Sequence, residues 1–261
     1  MSGQVIIADD SAVGAYAAAI IFDDLVATAN NNRGFVLGCP GGRTPRSTYI
    51  ALAALIAKSR QDISHVTIAM MDEFLSDEID GTFSNHSIEK HFSCARFAIA
   101  EIFSVLNAGA PKGGEIKIEN VRYPDAKNPA AYEEFLQTTG VNVFLMASGG
   151  SDGHVAFNPP GTALSDRTRI VKIAETTRRD NLGTFPDFKS INEVPRYGVT
   201  VGPATMVEVS EKVIMELIGS HKREAFNRIS TAISYESDWP STVVHECKEY
   251  FILADEAAAG R

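Results

Sequence analysis

The sequence predicts an α/β fold, in which a mostly parallel β-sheet is covered by helices on both faces. Short apolar runs typical of buried strands lie at 35–38, 66–70, 141–146, 197–201, 213–218 and 250–253. Segments with apolar residues at helical spacing lie between them, at 45–59, 85–106, 129–138 and 222–232. Loops rich in Gly, Asp, Asn, Ser and His follow three of the strands, at 38–46, 71–86 and 147–162. Alternating strands and helices favour a parallel sheet, whose ligands bind beyond the carboxyl ends of the strands.

The length and composition indicate one globular domain over residues 1–261. A chain of 261 residues is long enough to bury a large core without a disulfide or metal. Hydrophobic residues make up 44% and charged residues 22%, which excludes a disordered or fibrous chain. The sequence shows no interdomain linker, internal repeat or low-complexity tract.

Charge and cysteine usage predict a cytoplasmic protein with no nucleic-acid or membrane partner. The net charge is −9, and no Lys/Arg cluster suggests a nucleic-acid surface. The amino terminus lacks the basic and apolar regions of a signal peptide, and we find no apolar run of about 18 residues. Cys39, Cys94 and Cys247 are odd in number and widely spaced, which argues against a disulfide framework or a zinc site.

The first loop has the composition of a phosphate-binding turn. Gly41 and Gly42 follow a strand and precede a helix that has Pro45 near its first turn. Their backbone N–H groups and the helix amino terminus could bind an anion, with Arg43 and Thr44 as further donors. A simple strand–helix turn explains the same residues, and both interpretations stay open. The P-loop and dinucleotide-binding patterns are absent.

The second loop begins with two adjacent acids, Asp72 and Glu73, directly after the run 66–70. An acid at a strand end that is shielded from water can have a raised pKa and act as a general base. The alternative is that both are solvated turn residues or helix caps.

The third loop places Asp152 and His154 on either side of Gly153. At this spacing both side chains can turn into one pocket, where the carboxylate would orient the imidazole for acid–base chemistry near neutral pH. A structural histidine is the alternative. No second His or Cys lies at a spacing that would support a metal site, so we expect no metal.

The motifs resemble one known family. The segments that carry the resemblance are 39–45, 71–74, 151–158, 165–169, 194–202 and 219–222. They resemble the glucosamine-6-phosphate deaminase/isomerase family, whose superfamily also contains the 6-phosphogluconolactonases. They occur in the family's order and cover nearly the whole chain. The resemblance implies a Rossmann-like α/β fold, a small sugar phosphate as ligand, and chemistry without a metal or cofactor. It is compatible with a homo-oligomer, since families of this kind occur as monomers and as larger assemblies.

The resemblance also implies roles for individual residues. Asp72 matches the base that moves a proton between C2 and C1 of the open-chain sugar. His154, held by Asp152, matches the residue that assists ring opening. Lys222 matches a phosphate-binding lysine, and the loop with Gly41, Gly42, Arg43 and Thr44 matches the rest of the phosphate site.

Two positions depart from the deaminase pattern. Pro159 stands where the deaminases have a glutamate, the third member of their acid–His–acid set. Gly183 stands where they have a phosphate-binding arginine. We expect Arg43 to supply the missing positive charge from the other side of the pocket.

Two further functions stay open. The Gly-Gly-x-Thr-Pro spacing at 41–45 and the Pro160–Gly161 pair resemble the lactonases, which would use His154 to activate water. The stretch 165–169 and Phe74 argue against a lactonase, because the lactonases lack the first and usually have an arginine in place of the second. Pro159 also motivates a third hypothesis, a catalytically altered protein that binds sugar phosphates.

Overall fold

The computed structural model describes residues 2–31, 33–77 and 81–261. Its main sheet has seven parallel strands in the order β1-β11-β10-β7-β2-β3-β6. These strands are β1 (Ser2–Ala8), β2 (Phe35–Cys39), β3 (Val66–Met70), β6 (Val121–Arg122), β7 (Val141–Ala147), β10 (Ser210–Leu217) and β11 (Glu249–Asp255).

A second, antiparallel sheet of four strands has the order β5-β4-β9-β8. Its strands are β4 (Asp72–Asp77), β5 (Phe83–Asn85), β8 (Arg169–Lys172) and β9 (Tyr197–Thr200). Strand β4 begins one residue after β3 ends, since only Met71 separates them. The second sheet therefore begins at the carboxyl edge of the first.

Helices connect the strands in the described residues. They are α1 (Asp10–Asn30), α2 (Arg46–Ser59), α3 (Cys94–Phe97), α4 (Ser104–Gly109), α5 (Pro129–Thr139), α6 (Glu175–Thr184), α7 (Pro203–Val209), α8 (Arg223–Thr231) and α9 (Glu256–Ala259). A π-helical stretch, Ala98–Phe103, joins α3 to α4.

The main sheet is buried on both faces, as the sequence predicted. Its central strands are continuous apolar runs because side chains must be apolar on both sides. Phe35 and Leu37 of β2 belong to the core cluster that contains side chains from α1, α2 and α4. Val36, between them, belongs to the cluster that contains side chains from α5, α7 and α8. Successive residues of a strand point to opposite faces, so this division confirms helices on both sides.

Three predicted elements differ from the structure. The helix expected over 85–106 begins only at Cys94, because Asn85 is paired with β4. The loop expected over 71–86 consists largely of the strands β4 and β5. The strand at 197–201 lies in the antiparallel sheet rather than beside the core strands, because Asp72 to Leu75 pair with it. Long-range pairing of this kind leaves no local signal in the sequence.

Helix α1 was not predicted, and it contains an apolar stretch of a length that the sequence was expected to lack. Its segment Ala12–Asn30 is long and apolar enough to cross a membrane by length and composition, with a mean hydropathy of 1.5. Val13, Ile21 and Leu25 on one side of this helix are nevertheless at most 1% exposed in the core cluster. One side of the segment is therefore buried against the sheet.

Strand order locates the point at which a ligand is expected. From β2 the chain continues to β3 on one side, whereas from β7 it continues to β10 and β11 on the other. The neighbouring strands β2 and β7 therefore form the topological switch point, where open α/β sheets bind ligands. The loops that follow these two strands are the first and third loops singled out in the sequence.

Candidate active site

A cavity of about 130 Å³ lies at the carboxyl ends of β2 and β7. Residues of all three predicted loops line it, together with the segment after β10. Those singled out in the sequence are Gly41, Gly42, Arg43, Thr44, Asp72, His154 and Lys222. Asp152 lies behind His154 and contacts its ring. The fold thus brings together groups that are up to 181 positions apart in the chain (222 − 41).

The structure separates the two adjacent acids. Asp72 is 5% exposed and borders the cavity. Burial raises its pKa to about 7, and the charge of Glu73 adds to this rise, while the Cys94 thiol and the charge of His154 oppose it. A carboxyl group with this pKa can accept a proton near neutral pH.

Glu73 does not border the cavity, and its carboxylate instead binds the start of α3. Its two oxygens accept hydrogen bonds from the backbone N–H groups of Phe74, Cys94 and Ala95 at 2.8–2.9 Å and from the Ser93 hydroxyl at 3.0 Å. A carboxylate engaged in this way caps a helix and is not free to exchange protons with a ligand.

Asp152 and His154 form a hydrogen-bonded pair. The imidazole Nδ1 lies 2.7 Å from Asp152 Oδ1, and the backbone N–H of His154 donates to the same oxygen at 3.1 Å. The Thr176 hydroxyl, on α6, donates to Oδ2 of Asp152. Burial alone would raise the pKa of Asp152, but the hydrogen bonds and charge of His154 and the Thr176 bond outweigh it and lower the pKa. Asp152 is therefore ionised at neutral pH and fixes the orientation of the imidazole.

A glycine makes this pair possible. A Cβ on Gly149 would lie 2.2 Å from both Asp152 Oδ1 and His154 Nδ1. No side chain fits there, so the loop after β7 needs glycine in order to fold back over the pair.

Lys222, which follows β10, also borders the cavity. Its Nζ donates to the Ser148 carbonyl oxygen at 2.5 Å. Burial lowers its pKa, and the positive charge of Arg43 contributes, while Asp180 and Asp152 act in the other direction. Cations held this close to Gly41, Gly42 and Thr44 suit an anionic group at the mouth of the cavity.

Arg43 lies beside Gly183 of α6. A Cβ on Gly183 would be 3.4 Å from the Arg43 guanidinium. The guanidinium of Arg43 therefore borders the space that a side chain at position 183 would enter. This is the arrangement expected if Arg43 takes the place of an arginine from α6.

Pro159 does not line this cavity. It borders a separate cavity of about 500 Å³ together with Lys172, Glu175 and Tyr197. Within the described ranges no group of three His, Cys, Asp or Glu side chains could hold a metal ion.

Sequence reasoning missed Thr176 and Cys94, both of which touch the predicted acids. Thr176 is 24 positions from Asp152, and Cys94 is 22 positions from Asp72. Neither residue belongs to a motif, so nothing in the local sequence pointed to them.

The fold and this cavity define a Rossmann-like α/β protein in which carboxyl, imidazole and cationic groups meet at the switch point. The family described as glucosamine-6-phosphate isomerases/6-phosphogluconolactonase matches residues 8–253. A glucosamine-6-phosphate deaminase of Vibrio campbellii is 31% identical over 254 residues, which cover 96% of this chain and 89% of the relative. One from Beutenbergia cavernae is 30% identical over 259 residues, covering 99% and 92%. The chain belongs to this family and is an enzyme of it.

Solved structures show the same fold. A monomeric glucosamine-6-phosphate deaminase superposes with a TM-score of 0.83 at 23% identity, covering 100% of this chain and 99% of that one. A 6-phosphogluconolactonase from Trypanosoma cruzi gives a TM-score of 0.66 at 17% identity, covering 100% and 98%. The Rossmann-like architecture expected from the sequence is thereby confirmed.

Proposed function

We propose that this protein is a cytoplasmic aldose–ketose isomerase/deaminase that converts an amino-sugar 6-phosphate such as glucosamine 6-phosphate into a ketose phosphate and ammonia. The observation that carries the proposal is Asp72, a buried acid with a pKa of about 7 that borders the same cavity as the His154–Asp152 pair. The deaminases named above, which match nearly the whole chain, support it.

The phosphate is bound at the mouth of the cavity. The Lys222 ammonium, the Thr44 hydroxyl and the backbone N–H groups of Gly41 and Gly42 are donors there, and the Arg43 guanidinium adds a second positive charge. Binding at this end places the sugar ring toward Asp72 and His154.

Ring opening moves one proton from the anomeric hydroxyl to the ring oxygen while the bond between C1 and that oxygen breaks. His154 can receive and return this proton at Nε2, because Nδ1 is engaged by Asp152. The ionised Asp152 stabilises the imidazolium formed in between. The Thr176 hydroxyl fixes Asp152 and takes part of the structural role that the glutamate expected at position 159 would have.

Isomerisation moves a proton between neighbouring carbons. Asp72 takes the proton from C2 of the open-chain aldehyde, the electron pair of that bond forms the C1=C2 double bond, and O1 takes a proton from solvent to give an enolamine. Asp72 then returns its proton to C1, and the nitrogen loses one proton to solvent, which leaves an imine at C2. Water replaces the nitrogen, so one water is consumed and one ammonia is released.

Hydrolysis of a sugar-phosphate lactone is the second candidate. It needs only the His154–Asp152 pair to activate water, and Pro159 removes a group that deamination uses elsewhere in the family. This reaction gives Asp72 and its raised pKa no role, which is why we place it second.

One comparison tests the proposal. The enzyme is incubated with glucosamine 6-phosphate and, separately, with 6-phosphogluconolactone, and ammonia release and lactone loss are measured. We expect ammonia and a ketose phosphate in equal amounts, with lactone loss no faster than the spontaneous rate. Lactone turnover without ammonia would establish the second candidate. Binding of the sugar phosphate with no turnover of either compound would show a binding protein instead.

A further inference from the structure

Cys94 lies next to Asp72, and its contact with Glu73 fixes its position. It is the first residue of α3, and its backbone N–H donates to Glu73 Oε1 at 2.9 Å. Glu73 directly follows Asp72 in β4. Glu73, the neighbour of the proposed base, therefore holds the backbone of Cys94 in place. The distance between the Cys94 thiol and the Asp72 carboxylate is fixed by this contact between β4 and α3.

The thiol contacts one oxygen of the proposed base. Cys94 Sγ donates to Asp72 Oδ1 at 3.3 Å, and the two residues are 2% and 5% exposed. Burial, followed by the charges of Asp72 and Glu73, raises the pKa of Cys94 well above its ordinary value. The sulfur consequently keeps its proton at neutral pH, so it donates a hydrogen bond and is a poor nucleophile.

We propose that Cys94 is a positioning residue for the proposed reaction, because its thiol donates to Oδ1 of Asp72 and so fixes the orientation of the carboxylate that takes the proton from the sugar carbon. The inference rests on the proposed function, since it assigns Cys94 a part in the proton transfer at C2.

The same contact sets the pH at which Asp72 can act. A hydrogen bond to the ionised carboxylate favours that form and opposes the effect of burial. Besides Cys94, the charged and titratable groups that act on Asp72 or share its surroundings are Glu73, His154, Tyr132, Lys222, Arg43 and Asp180. Loss of the thiol leaves all of them in place, so the pKa of Asp72 rises and the carboxylate is the minor form at neutral pH.

The test compares Cys94→Ala, Cys94→Ser and Cys247→Ala with the unmodified enzyme. In Cys94→Ala we expect the acid limb of the kcat/KM profile to move to higher pH. The rate should then fall several-fold to about tenfold near pH 7 and recover at higher pH. Cys94→Ser keeps a donor and should restore most of the profile. Cys247 is also fully buried but lies in the other core cluster, so Cys247→Ala should leave the profile unchanged.

A spectroscopic measurement keeps this test separate from that of the function. The infrared S–H stretching bands of the three cysteines can be assigned from single variants. We expect the Cys94 band to shift as the pH passes through about 7, as Asp72 ionises, and to lose that shift in Asp72→Asn. A Cys94 S–H band that does not change with pH would overturn the proposal. So would an unchanged acid limb of the kcat/KM profile in Cys94→Ala. If the band shifts with pH but the enzyme has no deaminase activity, the proposed function is wrong and the contact between Cys94 and Asp72 still stands.

Discussion

Asp72 and Glu73 are neighbours in β4, yet their surroundings give them different properties. Glu73 is surrounded by donors from the start of α3, whereas the Asp72 carboxylate accepts a hydrogen bond from the Cys94 thiol, which is a weak donor. Burial raises the pKa of both carboxyl groups, and the four hydrogen bonds oppose that rise at Glu73, whereas the Cys94 thiol and the charge of His154 oppose it at Asp72, whose pKa is about 7. A buried carboxyl group with a raised pKa at the edge of a cavity is typical of residues that transfer protons.

The raised pKa of Asp72 predicts that Asp72→Asn stabilises the folded protein. The pKa rises from 3.8 in the unfolded chain to about 7 in the fold, so the fold binds the proton more tightly. The stability of the unmodified protein therefore falls as the pH rises from about 4 to about 7. At roughly 1.4 kcal/mol per pKa unit, the variant should be more stable by a few kcal/mol above pH 7, and the gain should disappear near pH 4. Urea unfolding at both pH values measures it, and a difference that does not change with pH would contradict it.

The position of Arg43 predicts a rescue. Arg43→Ala should raise the KM for the sugar phosphate roughly ten- to a hundredfold with little change in kcat, because a charge-assisted contact is lost. Gly183→Arg added to this variant should recover most of the affinity, since its side chain enters the space that Arg43 leaves. Arg33→Ala is the matched control, because Arg33 lies away from the cavity and pairs with Glu211. If the double variant binds the sugar phosphate no better than Arg43→Ala, Arg43 does not take the place of an arginine at position 183.

Part of the cavity lining was predictable from the sequence, although the partners of those residues were not. Asp72, His154 and Lys222 follow strands or stand in motifs, and the parallel sheet places such residues at one edge. Thr176 and Cys94 reach the site through contacts between elements distant in the chain. No periodicity or spacing records contacts of that kind.

The start of α3 shows how an element depends on a distant residue. The Ser93 hydroxyl caps the helix through the Arg96 N–H, and Glu73 accepts the N–H groups of Cys94 and Ala95. The apolar residues between Asn85 and Leu106 follow one helical spacing, which is why the predicted helix began too early. The cap supplied by Glu73 helps define where the helix begins.

Glu73→Gln should therefore destabilise the protein by about 1–2 kcal/mol at neutral pH, since an amide nitrogen cannot accept the backbone N–H groups that the carboxylate accepts, and relief from the burial that raises the pKa of Glu73 offsets only part of this loss. It should also lower kcat, because the backbone of Cys94 is displaced next to Asp72. Denaturant unfolding and steady-state kinetics measure the two effects. Glu89→Gln, an exposed residue nearby, is the control. Equal stability of the two variants would show that the cap contributes little.

Across the molecule, charge is distributed unevenly. The chain has a net charge of −9, yet a groove of about 1200 Å³ next to the cavity is bordered by Arg43, Lys222 and Arg223. An acidic protein repels an anionic substrate except where cations are concentrated, so this groove is where approach is favoured.

Substrate capture should consequently depend on salt. Arg223→Gln should lower kcat/KM several-fold at low ionic strength with kcat unchanged, and the difference should shrink above about 0.1 M salt, where the screening length is about 10 Å. Arg33→Gln removes the same charge near Glu211, just before the amino end of β2, and should have no such effect. If both variants respond to salt alike, local steering is excluded.

Turnover and substrate binding by Asp72→Asn test the account most directly. The variant keeps the size of the side chain and removes the base, so ammonia release from glucosamine 6-phosphate should fall by about a thousandfold or more. Calorimetry should show the substrate binding about as tightly as before, because Lys222, Thr44 and Arg43 are untouched. Ammonia release by Asp72→Asn at the rate of the unmodified enzyme would contradict the assignment of Asp72 as the base.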